Sequence, residues 1–180
     1  SLGQMAFAAV GGATGAWLTQ TAGVGFVAAT ALAGCLGAVF SLIVGIPALR
    51  MRGTYLAVTT LALELTTIQY FLNPQFFSWV PVERITRPPL FGTINWESSQ
   101  AAYYVCLVTL TVACVAVAGL KNGRIGRVLI ALRDNEIAAE AYGARAAQLK
   151  LVAFAISGFL AAVAGSVIAH HQQAFNVTPA

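Results

Sequence analysis

The stretch VGFVAATALAGCLGAVFSLIV, residues Val24–Val44, carries no charged side chain over 21 residues and decides the class of the fold. The hydrocarbon core of a bilayer is about 30 Å thick and a helix rises about 1.5 Å per residue, so about 20 apolar residues span it. Val24–Val44 therefore predicts a transmembrane helix.

The composition extends this prediction to the whole chain of 180 residues. Hydrophobic residues make up 58% and charged residues 9%, whereas soluble domains average about 45–50% apolar and about 25% charged residues. With 10 Lys and Arg and 6 Asp and Glu, the chain lacks the charge that a water-exposed surface needs. It is therefore predicted to reside in a lipid bilayer.

Four further apolar segments are long enough, or nearly so, to cross a bilayer. The five predicted spans are Leu2–Leu18, Val24–Val44, Thr54–Leu72, Ala101–Leu120 and Leu151–Ala169. We expect an all-α, polytopic transmembrane bundle with about five spans. We also expect residues 1–180 to be part of one transmembrane domain of a longer chain, since they begin at Ser1 without a signal peptide and both ends are apolar or nearly so.

The cations predict which loops face the cytoplasm. Arg50 and Arg52 lie between spans two and three, and residues 121–150, between spans four and five, hold six of the ten cations. Two spans separate these loops, so both emerge on one side, which the positive-inside rule makes cytoplasmic. The loop at residues 73–100, rich in proline and aromatic residues, is then extracytoplasmic. Basic loops between spans indicate lipid contact and no nucleic-acid partner.

Residues 124–133 have the pattern of a helix that lies on the membrane surface. Four apolar residues fall on one face of such a helix: Ile125, Val128, Leu129 and Leu132. Arg124, Arg127 and Arg133 lie elsewhere on the helical wheel. We expect this helix in the interface, with its apolar side toward the lipid and its arginines toward anionic headgroups.

A second, shorter helix is predicted directly after it. Asp134 or Asn135 can cap its N-terminus, and Glu136 in its first turn suits the helix dipole. Gly143 is placed to end it, so the expected helix is Glu136–Tyr142. On physical grounds alone this helix is either a connector between two spans or a docking element for a cytoplasmic partner.

Small residues in the spans favour close packing between helices. Gly11 and Gly15 lie four apart in span one and predict either close helix packing or a broken helix whose unwound backbone is exposed to a substrate. Gly158 and Gly165 lie seven apart in span five and predict close packing. Span five ends at His170 and His171, which are expected to be solvated at the outer interface. No acid or cysteine accompanies them, so no metal site is predicted.

Three stretches of the sequence, in register, resemble the M-type membrane permease of ABC importers for branched-chain amino acids. They are SLGQMAFAAVGGATGAWL at residues 1–18, GIPALRMRGTYLAVTTLALEL at residues 45–65, and GRIGRVLIALRDNEIAAEAYGARAAQLKLVAFAISGFLAAVAGSVIAH at residues 123–170. Together they cover nearly the whole chain in the expected order. The long proline-rich loop ending RPPLFG is not general to that family.

The resemblance implies a multi-pass permease of the prokaryotic inner membrane, with no cofactor and no catalysis of its own. The chain has no G-x-x-x-x-G-K-[ST] motif, so ATP must be hydrolysed on separate ATP-binding cassette subunits. A second permease subunit and a periplasmic or lipid-tethered solute-binding protein are the other implied partners. In this family the basic loop holds a coupling helix that seats on the ATP-binding subunit. By that resemblance the coupling residues are Arg133, Asn135, Glu136, Ala139, Glu140 and Gly143.

Glu64 is an acid near the middle of a predicted span. Facing lipid would cost roughly 2.5–3.5 kcal/mol, so we expect it to face protein or a wet pathway. It is either a buried carboxyl, protonated or bonded to hydroxyls such as Thr60, Thr67 or Ser41, or a residue that lines the translocation path or the permease–permease interface. Thr60 is the second candidate for the path. The family commonly has an acid or amide near the position of Leu65, and an offset of one residue turns a helical side chain by about 100°.

Other functions stay open on the sequence alone. A related ABC importer for urea or short amides fits the same pattern. A secondary transporter or channel acting alone would need ionisable groups inside the membrane, and Glu64 is the only acid in the predicted spans. A structural membrane subunit without a pathway is the remaining alternative.

Overall fold

A computed structural model describes residues 3–49, 54–77, 79–80, 84–89, 96 and 98–173. All regular structure within these residues is helical, as expected. The elements are α1 (Gln4–Gln20), α2 (Phe26–Ala48), α3 (Thr54–Thr66) continued by a π-helical segment (Thr67–Phe71), α4 (Ser99–Asn122), α5 (Arg124–Asp134), α6 (Glu136–Ala141) and α7 (Ala146–Gln172). Outside the description lie Arg50, Arg52 and residues 78, 81–83, 90–95 and 97 of the predicted outer loop.

Three helices within the described residues are long and apolar enough to cross a membrane, namely α2, α4 and α7 with 23, 24 and 27 residues. They correspond to predicted spans two, four and five. The expected number of about five spans is not confirmed. Helix α1 has 17 residues, which gives it a length of about 26 Å. The third predicted span is an α-helix of 13 residues that changes to π-helical hydrogen bonding for 5 more.

Helices α1 and α7 run parallel and pack with their backbones in close contact. Their parallel course is fixed by the pairing of Gln4 with Ser157 near one end and of Thr19 with His170 near the other. A Cβ at Gly11 would overlap the backbone of Ala162, and a side chain at Gly15 or Gly165 would meet the facing helix in the same way. The prediction that these glycines serve close packing is confirmed.

Helix α2 packs antiparallel to α7 and also contacts α1. A Cβ at Gly158 would lie 2.9 Å from the carbonyl oxygen of Gly37, and Thr30 and Ser166 join their hydroxyls at 3.1 Å. Gly45 lies beside Leu151, so the C-terminal end of α2 and the N-terminal end of α7 share one end of the bundle. The connections after α2 and before α7 therefore lie at the same end, while the assignment of that end to the cytoplasm stays a prediction.

Helix α4 packs only lightly against α7. Large apolar side chains such as Tyr104 and Val115, which are 63% and 66% exposed, point away from the bundle. A lateral groove of about 390 Å³ between α2, α4 and α7 is lined by apolar residues alone. Such faces fit lipid or further transmembrane helices rather than water.

The described part of the predicted outer loop lies on the opposite end of the bundle, over the C-terminus of α7. Arg87 donates from Nε to the carbonyl of His170 at 3.1 Å and from Nη2 to the carbonyl of His171 at 2.6 Å. Its guanidinium stands 5.4 Å from the ring centre of the buried Trp96. A cation at a helix C-terminus is favourable because the helix dipole is negative there. We call this arrangement the Arg87 clamp.

The expectation that His170 is solvated at the interface is wrong. Its side chain is fully buried, with Nδ1 2.7 Å from the carbonyl of Ser166 and Nε2 3.0 Å from the hydroxyl of Thr19. Phe26 covers the ring from the side, at 5.1 Å between ring centres. The physical reason is that α1 and α2 supply a polar and an aromatic neighbour at this level. The adjacent His171 is exposed, as expected.

Candidate functional site

The chain turns sharply between α4 and α5 because residue 126 has no side chain. A Cβ at Gly126 would overlap the backbone of Leu120 and Lys121 at the end of α4. Gly123 between the two helices has an extended backbone, with φ −76° and ψ 178°. Helix α5 therefore begins directly after α4 and runs in a new direction. Its range, Arg124–Asp134, agrees with the helix predicted at residues 124–133.

A second corner, at Asn135, separates α5 from α6. Its extended backbone (φ −153°, ψ 101°) ends α5, and its Oδ1 accepts a hydrogen bond from the backbone N–H of Ala138 at 3.0 Å. Of the two capping residues that the sequence offered, Asn135 is the one used. Helix α6 ends at Ala141, and Gly143 follows with φ +89°, a conformation that favours glycine. The predicted short helix and its end at Gly143 are confirmed.

The three helices α5, α6 and α7 form an elbow with a small core of its own. Leu132, Ala139 and Ala146, one from each helix, are buried against one another, and Ala144 and Leu149 pack on them. Ala139, one of the residues that the resemblance marks for coupling, thus faces the inside of the elbow. Its small side chain sets how closely α6 approaches α5 and α7.

Two ion pairs lie on the surface of the elbow. Lys150 Nζ on α7 is 2.6 Å from Glu136 Oε1 on α6, and Arg133 Nη2 is 3.0 Å from Asp134 Oδ1. All four side chains are well exposed, and pairs of this kind contribute only about 0–1 kcal/mol to stability. The first pair nevertheless links α6 to the start of α7, so the Glu136 carboxylate already has a partner inside the elbow.

The outer side of the elbow presents a different set of side chains. Ile137 is 83% exposed and Tyr142 is 95% exposed, and Glu140 is exposed between them without an ion pair in the described part of the chain. We call Ile137, Glu140 and Tyr142 the docking face. Exposed large apolar residues beside a single charge are typical of a protein contact.

Sequence reasoning missed Ile137 and Tyr142. Their size was the available signal, because the rest of the short helix is alanine and glutamate. A helix of six residues is too short for its outward face to be read from periodicity. Beside the docking face, a groove of about 500 Å³ runs between α5 and α7 and is lined in part by Ile125, Gln148 and Val152.

The second candidate region is the polar part of α3. Glu64 is half-buried and makes no hydrogen bond to Thr60, Thr67 or Ser41. Thr60 donates instead to the carbonyl of Ala57 at 3.0 Å, within its own helix. Thr60 also faces α1, since a Cβ on Gly3 would lie 3.1 Å from its Cβ. Among the described residues, no group of three or more His, Cys, Asp or Glu is placed to hold a metal ion.

Comparison with known proteins gives a consistent result. A family model described as "Branched-chain amino acid transport system / permease component" matches residues 1–179. Two curated relatives, from Salmonella typhimurium and Escherichia coli, both described as "High-affinity branched-chain amino acid transport system permease protein LivM", are each 30% identical over 195 residues. The match covers 95% of this chain and 46% of each relative, so the chain spans about half their length. No solved structure matches the chain significantly.

Proposed function

Because this chain belongs to the permease family of branched-chain amino acid transport systems, we propose that it forms part of the transmembrane pathway of an ATP-driven importer. The family and the apolar helices make it a membrane protein. The printed names of both relatives support branched-chain amino acids as the substrate. The membrane is the inner or plasma membrane of a prokaryote.

The elbow of α5, α6 and α7 is the observation that carries this proposal. A separate ATP-binding subunit would bind the docking face, with Ile137 and Tyr142 entering an apolar groove and Glu140 meeting a basic group. Arg133, Asn135, Glu136, Ala139 and Gly143 would act by fixing the shape of the elbow. The exposure of Ile137 and Tyr142 supports a role in binding. Asn135 caps α6, Ala139 lies in the elbow core and Gly143 forms the turn, which supports a role in shape.

Helix α7 gives the elbow a mechanical connection to the membrane. It begins at Ala146 inside the elbow core and continues without a break for 27 residues, about 40 Å. A displacement of α6 by the ATP-binding subunit would therefore move α7 against α1 and α2. Glu64 and Thr60 on α3, which packs on α1, are the candidate residues of the pathway that this motion would open and close.

The remaining partners follow from the topology that the charges predict. Residues 121–150 would face the cytoplasm and the ATP-binding subunits, and residues 73–100 would face outward. A periplasmic or lipid-tethered solute-binding protein would deliver substrate to that outer side, and a second permease subunit would complete the pathway. The apolar outward faces of α2 and α4 support contact with lipid and with that second subunit.

The test uses the full-length permease, co-expressed with its neighbouring ATPase, permease and binding-protein genes and reconstituted in vesicles. Glu140→Arg places a cation on the docking face, so the ATP-binding subunit should no longer co-purify and ATP-dependent leucine uptake should fall at least tenfold, as for a repelled charge pair at an interface. Arg84→Glu, a charge reversal at the opposite end of the bundle, is the control and should leave the ATP-binding subunit bound.

Two results would contradict the proposal. Leucine uptake that persists without the ATPase and collapses with the proton gradient would identify a secondary transporter acting alone. ATP-dependent uptake of urea or a short amide, with none of leucine, would keep the importer and overturn the substrate.

A further inference from the structure

Three polar residues of α3 and the π-helical segment are shielded from the surface, beside the apolar Leu63 and Ile68. Thr60 and Glu64 are half-buried and Thr67 is fully buried, whereas Leu65 and Thr66 on the same helical turns are exposed. Thr60, Glu64 and Thr67 follow one another at spacings of four and three residues, which places them on one face of a helix. We call these three residues the polar stripe. Thr60 lies against Gly3 at the start of α1, and both α3 and the π-helical segment pack on α1.

Thr67 differs from the other threonines of this segment. Thr59 and Thr60 donate to carbonyl oxygens of their own helix, those of Tyr55 and Ala57, at 2.7 and 3.0 Å. The hydroxyl of Thr67 is buried and has no hydrogen-bond partner. Burying an unpaired hydroxyl is unfavourable, and a valine at this position would fill the same space without that cost.

The unpaired hydroxyl lies where the helix changes its geometry. Thr67 is the first residue of the π-helical segment, and its carbonyl accepts from the N–H of Leu72, five residues later, at 2.9 Å. Single turns of π-helix are rare and occur frequently at functional sites. An ionisable side chain within a membrane domain is likewise a mark of function. The orphan hydroxyl, the π-helical turn and Glu64 thus coincide on one segment.

We propose that the polar stripe binds the ammonium group of the transported amino acid, with the Glu64 carboxylate as counter-charge and Thr67 Oγ1 as a hydrogen-bond acceptor. Carboxylate and hydroxyl oxygens both accept from the three N–H donors of an ammonium group. Pairing the two charges lowers the cost of placing either in apolar surroundings. This inference rests on the proposed function, since it assigns a substrate contact to that pathway.

The surroundings fit the other half of such a substrate. Ala13, Leu72 and Val80 form a buried apolar cluster next to the stripe, and Ala9 and Phe77 pack against it. Ala13 and Ala9 belong to α1, and the other members follow the π-helical segment in the chain. The cluster therefore lies on the C-terminal side of Thr67, again next to α1. An aliphatic side chain would find its apolar contacts there while the ammonium group meets the stripe.

The variant Thr67→Val separates a ligand contact from a packing residue, because the two roles predict opposite results. If the hydroxyl serves only packing, valine leaves transport unchanged and raises the melting temperature, since an unpaired buried hydroxyl is removed. Under the proposal, leucine uptake by the complete importer falls about tenfold, as for the loss of a hydrogen bond to a charged group. ATP hydrolysis continues, so the ATP consumed per leucine rises. Thr66→Val, on the exposed side of the same turn, is the matched control.

A second variant and an analogue test the chemistry. Glu64→Gln keeps the shape of the side chain and removes its charge. Equilibrium binding to the purified complex, without the binding protein, is compared for L-leucine and for 4-methyl-2-oxopentanoate, which has a carbonyl in place of the ammonium group. The unaltered complex should prefer leucine by at least about tenfold, and both variants should lose most of that preference.

The outcomes keep the two proposals apart. If the unaltered complex shows no ATP-dependent leucine uptake, the proposed function fails. If it imports leucine and Thr67→Val and Glu64→Gln match it in uptake and in preference for leucine, the importer stands and the ammonium site is overturned.

Discussion

His170 joins two of the three central helices through its side chain alone. A carbonyl oxygen can only accept, so the short contact with Ser166 shows that Nδ1 donates to it, while Nε2 pairs with the hydroxyl of Thr19. In the sequence His170 and His171 look alike, as two histidines at the end of an apolar run. Their difference is decided by Thr19 and Phe26, which are about 150 residues away in the chain and invisible to local reasoning.

The substitution His170→Ala should lower the free energy of unfolding by about 2–4 kcal/mol, because it removes two buried hydrogen bonds and leaves a cavity. The measurement is thermal unfolding of the purified permease in detergent. His171→Ala is the matched control and should change stability by less than about 0.5 kcal/mol, as for an exposed residue. Equal shifts for both histidines would show that His170 does not join α7 to α1.

At the scale of elements, the sequence predicted those features that depend on local signals. The apolar runs located α2, α4 and α7, and the capping residue Asn135 and the terminating Gly143 located α6. The change to π-helical hydrogen bonding at Thr67 could not be predicted. Thr66, Thr67 and Gln69 interrupt the apolar run there, but polar residues alone do not specify a π-helical turn.

The candidate site shows the same division. Which residues turn the elbow could be read from capping and glycine signals, because these act within a few residues. Which side chains face outward could not, because Ala139 is buried by Leu132 and Ala146 from two other helices. Ile137 and Tyr142 face outward for the same reason, since packing of the alanine side of α6 leaves them no place inside.

Glycines that look equivalent in sequence are expected to respond in opposite directions. Gly165→Ala would place a Cβ on the backbone of Ala8 and should destabilise the bundle by about 1–3 kcal/mol through forced separation of α1 and α7. Gly119→Ala, in the last turn of α4 with no neighbour within 4 Å, should stabilise by up to about 0.5–1 kcal/mol through better helix propensity. Melting temperatures of the two variants give the comparison, and shifts of the same sign would contradict this account of the packing.

For the whole molecule, α7 is the element that reaches from one end to the other. Its N-terminal end is buried in the elbow core through Ala146, and its C-terminal carbonyls are held by the Arg87 clamp. Between these ends it packs against both α1 and α2, which also pack against each other. The elbow and the described part of the outer loop are therefore attached to one continuous helix, which gives a physical route between the two sides of the proposed importer.

This arrangement predicts that the two ends can be loosened separately. Arg87→Gln removes the guanidinium bonds to the carbonyls of His170 and His171, so residues 84–87 should exchange their amide hydrogens faster, including the N–H of Ile85 that now donates to the carbonyl of Gln173. Amide exchange in α6 and co-purification of the ATP-binding subunit should stay unchanged, because the elbow is about 40 Å away along α7. Hydrogen-exchange mass spectrometry of the assembled complex measures both ends in one experiment.

The control for this prediction is Arg84→Gln. Arg84 donates to the side chain of Gln173 at 2.7 Å rather than to the end of the helix backbone, so its loss should loosen the loop much less than loss of the clamp. If Arg87→Gln leaves exchange in residues 84–87 unchanged, the loop is held by the burial of Ile85 and Trp96 instead. If it also releases the ATP-binding subunit, the two ends of α7 are coupled, and loosening the outer loop alters the elbow, which would contradict this prediction.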